Sequence, residues 1–393
     1  MQPDPSVPMD AAAERADAIA RRWTFPDGRV DLLSLLPEAL GAFATELEEK
    51  PFRARQIFRA LHARQVSSFE DMTDLKKGLR ERLASVATLS RPEVTDVRVA
   101  RDGTRKYQLT TFDGHVIESV YIPDASGPGR NALCVSSQVG CAMACTFCAT
   151  AALKLRRHLS PGEIVGQLYA VEHDLRAAGV LVESDGIRRG AVTNIIYMGM
   201  GEPLHNYAGV LGSIRLLTSE DGRNMSSRRI TVSTSGLVPA IRRLGVDSDV
   251  HIAISLNATT DDVRDQVMPV NRRWKIKDLL DACRELPLKA RQRITFEYVM
   301  LAGVNDSDDD ARRLVRLLSG FRCKVNLIPF NPHPLSSFTR PADERVAAFQ
   351  NALQRAHLST FVRTTRGLDI DAACGMLGAK KLQQARAGLP VVS

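Results

Sequence analysis

Four of the chain's seven cysteines crowd into "CVSSQVGCAMACTFC", which runs from Cys134 to Cys148. Three of them, Cys141, Cys145 and Cys148, stand at C-x3-C-x2-C spacing. On a loop, that spacing lets three thiolates face one point. A structural zinc site uses four ligands. His158 is an available fourth, but no second C-x2-C pair exists. An iron–sulfur cluster of the [4Fe–4S] type normally takes four thiolates, so three would leave one iron open to bind a further molecule. Unliganded structural cysteines are the third reading. Outside the loop, Cys283 and Cys323 read as small buried hydrophobes. So does Cys134 taken alone, flanked by Leu133 and Val135, and Cys374 in "GLDIDAACGMLGAKK" is a weak candidate by itself.

A chain of 393 residues is long enough for two or three domains, and 44% hydrophobic with 25% charged residues is ordinary for a soluble globular protein. The net charge of +8 fits a nucleic-acid partner or simply a solvated basic surface. The N-terminus lacks the apolar core of a secretory signal, and no run of about 18 apolar residues exists, so no membrane span and a cytoplasmic location are expected. In that compartment an odd number of cysteines points to metal binding or catalysis rather than a disulfide framework.

The elements that position these residues divide the chain. Residues 1–25, rich in Pro, Ala and Asp, read as a loose tail. Residues 26–90 read as helical, with Ile57 and Leu61 on an apolar stripe and Arg53, Arg55, Arg59 and Arg64 around it. This is a small bundle with a charged face, or a helical RNA-binding domain. Residues 91–124 alternate apolar and polar side chains around Asp102–Gly103 and Asp113–Gly114, which predicts a three-stranded β-meander linking element. Its last strand puts Glu118 on one face with Val116, Val120 and Ile122. A carboxylate there lies either at an exposed edge or partly desolvated, as suits a general base.

From 125 to 393 the chain alternates strands and helices. The strand-like runs are "ALCVSS", "NIIYMG", "RRITVST", "VHIAISL", "ITFEYVM" and "KVNLIPF". Ser160, Pro161 and Glu163 predict a capped helix start. Six such units predict an α/β fold, an incomplete (β/α)6 TIM-like barrel, with chemistry at the C-terminal strand ends. The cysteine loop, "MGMGEP" (198–203), "STSG" (233–236), "SLNA" (255–258) and "PFNP" (329–332) all fall there. The glycines of "MGMGEP" allow close backbone approach to a cofactor, or merely a tight turn.

C-x3-C-x2-C is the signature of radical S-adenosylmethionine (SAM) enzymes. Together with "ESVYIP", "CVSSQVGCAMACTFCAT", "YMGMGEPLHN", "RRITVSTSG", "AISLNA", "MPVNRRW", "VNLIPFNP" and "RGLDIDAACGML", it makes the chain resemble one family closely from about residue 40 to 380. That family is the radical SAM RNA methyltransferases that act on adenine C2 of 23S ribosomal RNA and, in dual-specificity members, of tRNA. The resemblance implies that Cys141, Cys145 and Cys148 hold the [4Fe–4S] cluster. It implies that Gly201, Glu202, Ser233, Ser255, Leu256, Asn257 and Asn331 bind SAM. It implies that Cys374 becomes S-methylcysteine, that Cys134 is the resolving thiol forming a transient disulfide with it, and that Glu118 is the proton acceptor.

The chemistry is coherent. Adenine C2 lies between two ring nitrogens and is too electron-poor to attack a methyl cation equivalent, so a carbon radical must do the attacking. The RNA must present its adenine out of the stack, and the basic N-terminal domain supplies phosphate contacts. An electron donor such as flavodoxin or ferredoxin and a monomeric state are expected. The rivals are a sister methyltransferase acting on adenine C8 and, from another class, a zinc-stabilised RNA-binding protein without catalysis.

Overall fold

The structure is a computed structural model that describes residues 23–124, 130–184 and 187–378. Within them the chain forms two compact units. One comprises residues 23–91, 159–169 and 206–226, the other residues 92–158, 170–205 and 227–378. Most of the expected N-terminal tail, residues 1–22, lies outside the described residues. Residues 23–25 depart from that expectation: Asp31 donates its N–H to the Trp23 carbonyl at 2.8 Å, and Thr24 bridges Val30.

The first unit is helical. Its helices are α1 (Pro37–Glu46), α2 (Pro51–His62), α3 (Lys77–Val86), the first turns of α4 (Pro161–Ala177), and α5 (Tyr207–Thr218). Proline opens α1, α2 and α4, where its missing N–H costs nothing. The predicted capping box forms: Glu163 N–H donates to Ser160 Oγ at 3.1 Å, and Ser160 N–H donates to the Glu163 carboxylate at 3.0 Å. Helix α2 buries Ala54, Ile57, Phe58 and Leu61 and exposes Arg55 and Arg59. Arg55 is already forked onto Asp221 at 2.7–2.9 Å and Arg64 pairs with Asp74 at 2.6 Å. The basic face is therefore less free than the sequence implies.

The buried ionisable groups of this unit include Asp31 and His62. Asp31 accepts from Leu33 N, Ser90 N and Ser160 Oγ at 3.1–3.3 Å, and burial raises its carboxyl to about 6. His62 shares a 2.9 Å hydrogen bond with the Tyr169 hydroxyl, and burial pushes its imidazole down to about 3.

The second unit is built on one ten-stranded sheet whose spatial order follows the chain. Strands β1 (Glu93–Val99), β2 (Arg105–Thr110) and β3 (Val116–Ile122) are antiparallel, with hairpins at the predicted Asp-Gly pairs. Strands β4 (Ala132–Cys134), β5 (Asn194–Tyr197), β6 (Ile230–Thr234), β7 (His251–Ser255), β8 (Ile294–Met300), β9 (Cys323–Pro329) and β10 (Thr360–Val362) are parallel. Helices α6 (Val238–Asp247), α7 (Asp261–Val267), α8 (Ile276–Arg284), α9 (Asp308–Leu318) and α10 (Asp343–Arg355) alternate with the later strands.

The expected six parallel strands are all present. The structure adds a seventh, "TFV", too short to show a pattern of its own. The meander is also more than a connector: β3 pairs antiparallel with β4, which makes the sheet continuous. Cys283 and Cys323 are buried, as expected of small hydrophobes. Among the described residues no helix is long and apolar enough to cross a membrane.

Candidate active site

The C-terminal ends of the parallel strands form one rim, and the cysteine loop follows β4. The loop is anchored by an apolar plug: Cys145 and Phe147 pack against Val267, Met268, Leu301 and Phe330. Thr146 N–H donates to the Val267 carbonyl at 3.1 Å, and the His333 ring bonds the Phe147 carbonyl at 3.1 Å. His333 was not singled out from the sequence.

The three thiols of this loop act on one another. Burial pushes Cys141 up to about 12, with Cys148 and Glu202 adding to it. Burial and the neighbouring thiols push Cys145 and Cys148 up as well. Among the described residues no three His, Cys, Asp or Glu side chains converge on a single ion. A multi-iron cluster takes one thiolate per corner rather than convergence on a point, and its positive irons relieve both the burial and the repulsion that oppose ionisation. His158 is engaged elsewhere, 2.9 Å from Gln138 Nε2. The donor set fits a [4Fe–4S] cluster.

The segment carrying Cys374 returns to this loop. Ala149 N–H donates to the Gly375 carbonyl at 2.8 Å, and Thr150 Oγ1 to the Leu377 carbonyl at 2.9 Å. Cys374 thereby neighbours Cys148 and Cys134, each of whose thiols it pushes up. Cys134 is buried and raised to about 12, burial being the main cause; Arg363 opposes the shift. Arg363 is itself held in its charged form chiefly by Cys374, with Glu297 and Cys134 contributing. Cys134 and Cys374 are both free thiols here.

The meander buries Glu118. In β3 every residue from Val116 to Tyr121 is buried, so the exposed-edge reading of Glu118 is excluded. Register pairs Val120 with Lys106 on β2 and with Cys134 on β4. Directly opposed residues share a face, as do residues two apart. Glu118, Lys106 and Cys134 therefore lie on one face of three adjacent strands.

The residues expected at SAM divide into two sets. Gly201, at φ +100°, allows the loop to press against Gln138, whose Cβ would stand 2.6 Å from any added Cβ. Ser233 lies within β6 and Ser255 ends β7, both half-buried. The side chains of the others are committed inside the protein. Glu202 accepts from Ser235 N at 2.7 Å and Leu204 N at 3.0 Å, and burial raises its carboxyl. Asn257 accepts from Val299 N at 2.8 Å. Asn331 donates to the Cys374 carbonyl at 3.2 Å and accepts from Thr365 Oγ1 at 3.1 Å. At Glu202 and Asn257 the backbone is engaged as well: the Glu202 carbonyl accepts from His205 N at 3.1 Å, and the Asn257 carbonyl accepts from Asn305 Nδ2 at 2.8 Å.

Two further organisers were missed. Arg264, fully buried, donates to the carbonyls of Ser235 (2.7 Å), Ser255 (3.1 Å) and Leu256 (2.9 Å), tying the ends of β6 and β7 together. Burial draws its guanidinium down to about 10 while Cys145 opposes. Its only sequence signal is that Arg264, Val267 and Met268 share one helical face. Gln138 accepts from Glu202 N at 2.8 Å.

A partial parallel barrel with three thiols at its C-terminal rim defines a radical SAM enzyme. Residues 135–315 match the model of the Radical SAM superfamily, and residues 30–89 that of the ribosomal RNA large subunit methyltransferase N-terminal domain. Over 354 residues the chain is 50% identical to the dual-specificity RNA methyltransferase RlmN of Anaeromyxobacter dehalogenans, covering 90% of this chain and 93% of the relative. The RlmN of Geobacter sulfurreducens is 46% identical over 354 residues, with the same 90% and 93% coverage. A crystal structure of a radical SAM methyltransferase from Sphaerobacter thermophilus superposes with a TM-score of 0.82 at 42% identity, covering 89% of this chain and 99% of that one. The chain belongs to the RlmN-type RNA methyltransferases. Its cofactors are a [4Fe–4S] cluster and SAM.

Proposed function

We propose that the protein methylates C2 of an adenine in 23S ribosomal RNA and in tRNA, carrying the methyl group on Cys374. The observation that supports this most directly is the gathering of Cys374, Cys134 and Cys148 on one rim, with Glu118 on the same sheet face as Cys134.

Cys141, Cys145 and Cys148 would hold the cluster. When bound, the cluster and SAM supply the radical chemistry that an electron-poor ring carbon requires. The remaining work falls to this chain. Cys374 sulfur accepts a methyl group by displacement and later links that carbon to adenine C2. Glu118 accepts the C2 proton. Cys134 then attacks the Cys374 sulfur, the carbon–sulfur bond breaks, the new methyl carbon takes a proton, and a disulfide remains for an external dithiol to reduce. Arg363 sets a cation beside both thiols.

The first unit, through exposed cations such as Arg59, supplies phosphate contacts, and binding weakens as salt rises. We further propose a cytoplasmic monomer that takes its electrons from a flavodoxin or ferredoxin. Digestion of RNA treated with the reconstituted enzyme, followed by nucleoside mass spectrometry, tests the assignment. 2-Methyladenosine is expected; 8-methyladenosine would transfer it to the sister activity, and no methylation would reject both.

A further inference from the structure

Lys106 has no role in the scheme above, yet it lies at its centre. Its ammonium is buried (5% exposed) and stands 3.0 Å from Oε2 of Glu118, itself 7% exposed. The same ammonium donates to the Asp371 carbonyl at 3.0 Å. Gly378 N–H donates to the same Glu118 Oε2 at 2.9 Å. One carboxylate oxygen and one ammonium thus grip both ends of the Asp371–Gly378 stretch, which holds Cys374 between them. The Lys106 ammonium and the Gly378 N–H both meet the same carboxylate oxygen, Oε2.

A buried lysine on a strand is an expensive feature to keep unless it is paired. Here the pairing is specific. Strand register sets Lys106 across from Val120, two residues beyond Glu118, so the sheet itself aims the ammonium at the carboxylate. Further bonds moor the residues just before this stretch to the meander: Gly367 N–H to Asp102 Oδ2 at 3.2 Å and Arg101 N–H to Asp369 Oδ2 at 3.2 Å.

Resting on the reading of Glu118 as proton acceptor, we infer that Lys106 is a positioning residue that does two jobs. It fixes Oε2 so that Oε1 faces the proton to be removed, and it couples the base to the position of the Cys374 segment. When the segment carries the methylated sulfur to its substrate, the Gly378 and Asp371 bonds open and Lys106 alone keeps the carboxylate aimed. The proton moves from C2 of the linked base to Oε1.

The test uses cluster-loaded Lys106→Met, Lys106→Arg, Glu118→Gln and Cys134→Ala proteins and RNA deuterated at C2 of the target adenine. Lys106→Met is expected to fill its cluster and methylate Cys374 normally. Turnover should fall about 100-fold, the size of a lost general base, and the trapped RNA–protein adduct should retain deuterium. Cys134→Ala should trap an adduct that has lost it. Lys106→Arg should recover about a tenth of turnover or more by keeping a cation at the site. Independently of turnover, amide exchange over residues 371–378 should speed about tenfold in Lys106→Met.

An adduct free of deuterium in Lys106→Met, or unchanged exchange in that segment, overturns the inference. If Lys106→Met fails to assemble its cluster, Lys106→Arg decides: an arginine protein with normal cluster and Cys374 methylation but no recovered proton loss also overturns it. Normal turnover by Glu118→Gln would instead remove the base assignment on which the inference rests.

Discussion

The backbone N–H of Ala149 donates to the carbonyl of Gly375 at 2.8 Å, and this bond, with that of Thr150 Oγ1 to the Leu377 carbonyl, fastens the loop of three cysteines to the segment that carries Cys374. It sets Cys374 next to Cys148 without giving it the spacing of a ligand. The cysteine that would carry the methyl group and those that would carry the cluster are therefore neighbours with separable roles.

Substitution should separate those roles. Cys145→Ala is expected to purify anaerobically without brown colour, with iron and acid-labile sulfide near background. Cys374→Ala should retain both and yield no methylated RNA. Equal loss of iron in the two proteins would contradict the division.

Resolution of the adduct should depend steeply on pH. Cys134 is raised to about 12, so its reactive thiolate is scarce at neutral pH and grows about tenfold per pH unit. Single-turnover decay of the adduct should accelerate accordingly between pH 7 and 9. Arg363→Met, which removes the cation opposing that shift, should slow it at every pH. Cys134→Ala should halt it.

Arg264, itself fully buried, donates to three strand-end carbonyls at once. Arg264→Met should destabilise the protein by about 3 kcal/mol, within the range for breaking a buried charged network. SAM affinity should weaken with it, since the ends of β6 and β7 would part. Urea unfolding and equilibrium dialysis read the two effects.

Acid should weaken the first unit through His62. Its folded pKa of about 3 lies below the ordinary 6.5, so its contribution is intact above pH 6.5 and is lost as pH falls toward 3. Asp31, raised to about 6, works in the opposite sense: its contribution is complete below 3.8 and is lost as pH rises through 6. The two partly cancel between pH 4 and 6, so the informative quantity is the difference between wild type and His62→Gln. The stability of wild type relative to His62→Gln should fall by about 1.4 kcal/mol for each pH unit between 6.5 and about 3, measured by urea unfolding.

Much of this site was legible in the residues. The cysteine loop, the helix start at Ser160–Glu163 and both Asp-Gly hairpins depend on contacts between neighbours in sequence, and such contacts leave local patterns. Six of the seven parallel strands were legible as apolar runs. The seventh, Thr360–Val362, is too short for a pattern and exists because β9 offers it an edge.

Glu118 was conspicuous as a carboxylate among apolar residues, but its surroundings were undecided. An exposed edge and a buried base have the same sequence, and only the pairing of β3 with strands on both sides separates them. Residue types and spacing by themselves marked the cysteine loop and six of the parallel strands, because these are local. The tertiary structure decided that Lys106 meets Glu118, that Arg363 and Cys134 meet Cys374, and that Arg264 joins two strand ends. Those meetings depend on register and on burial of charge across the sheet, and a charged residue in a linear sequence carries no sign of which partner will make its burial tolerable.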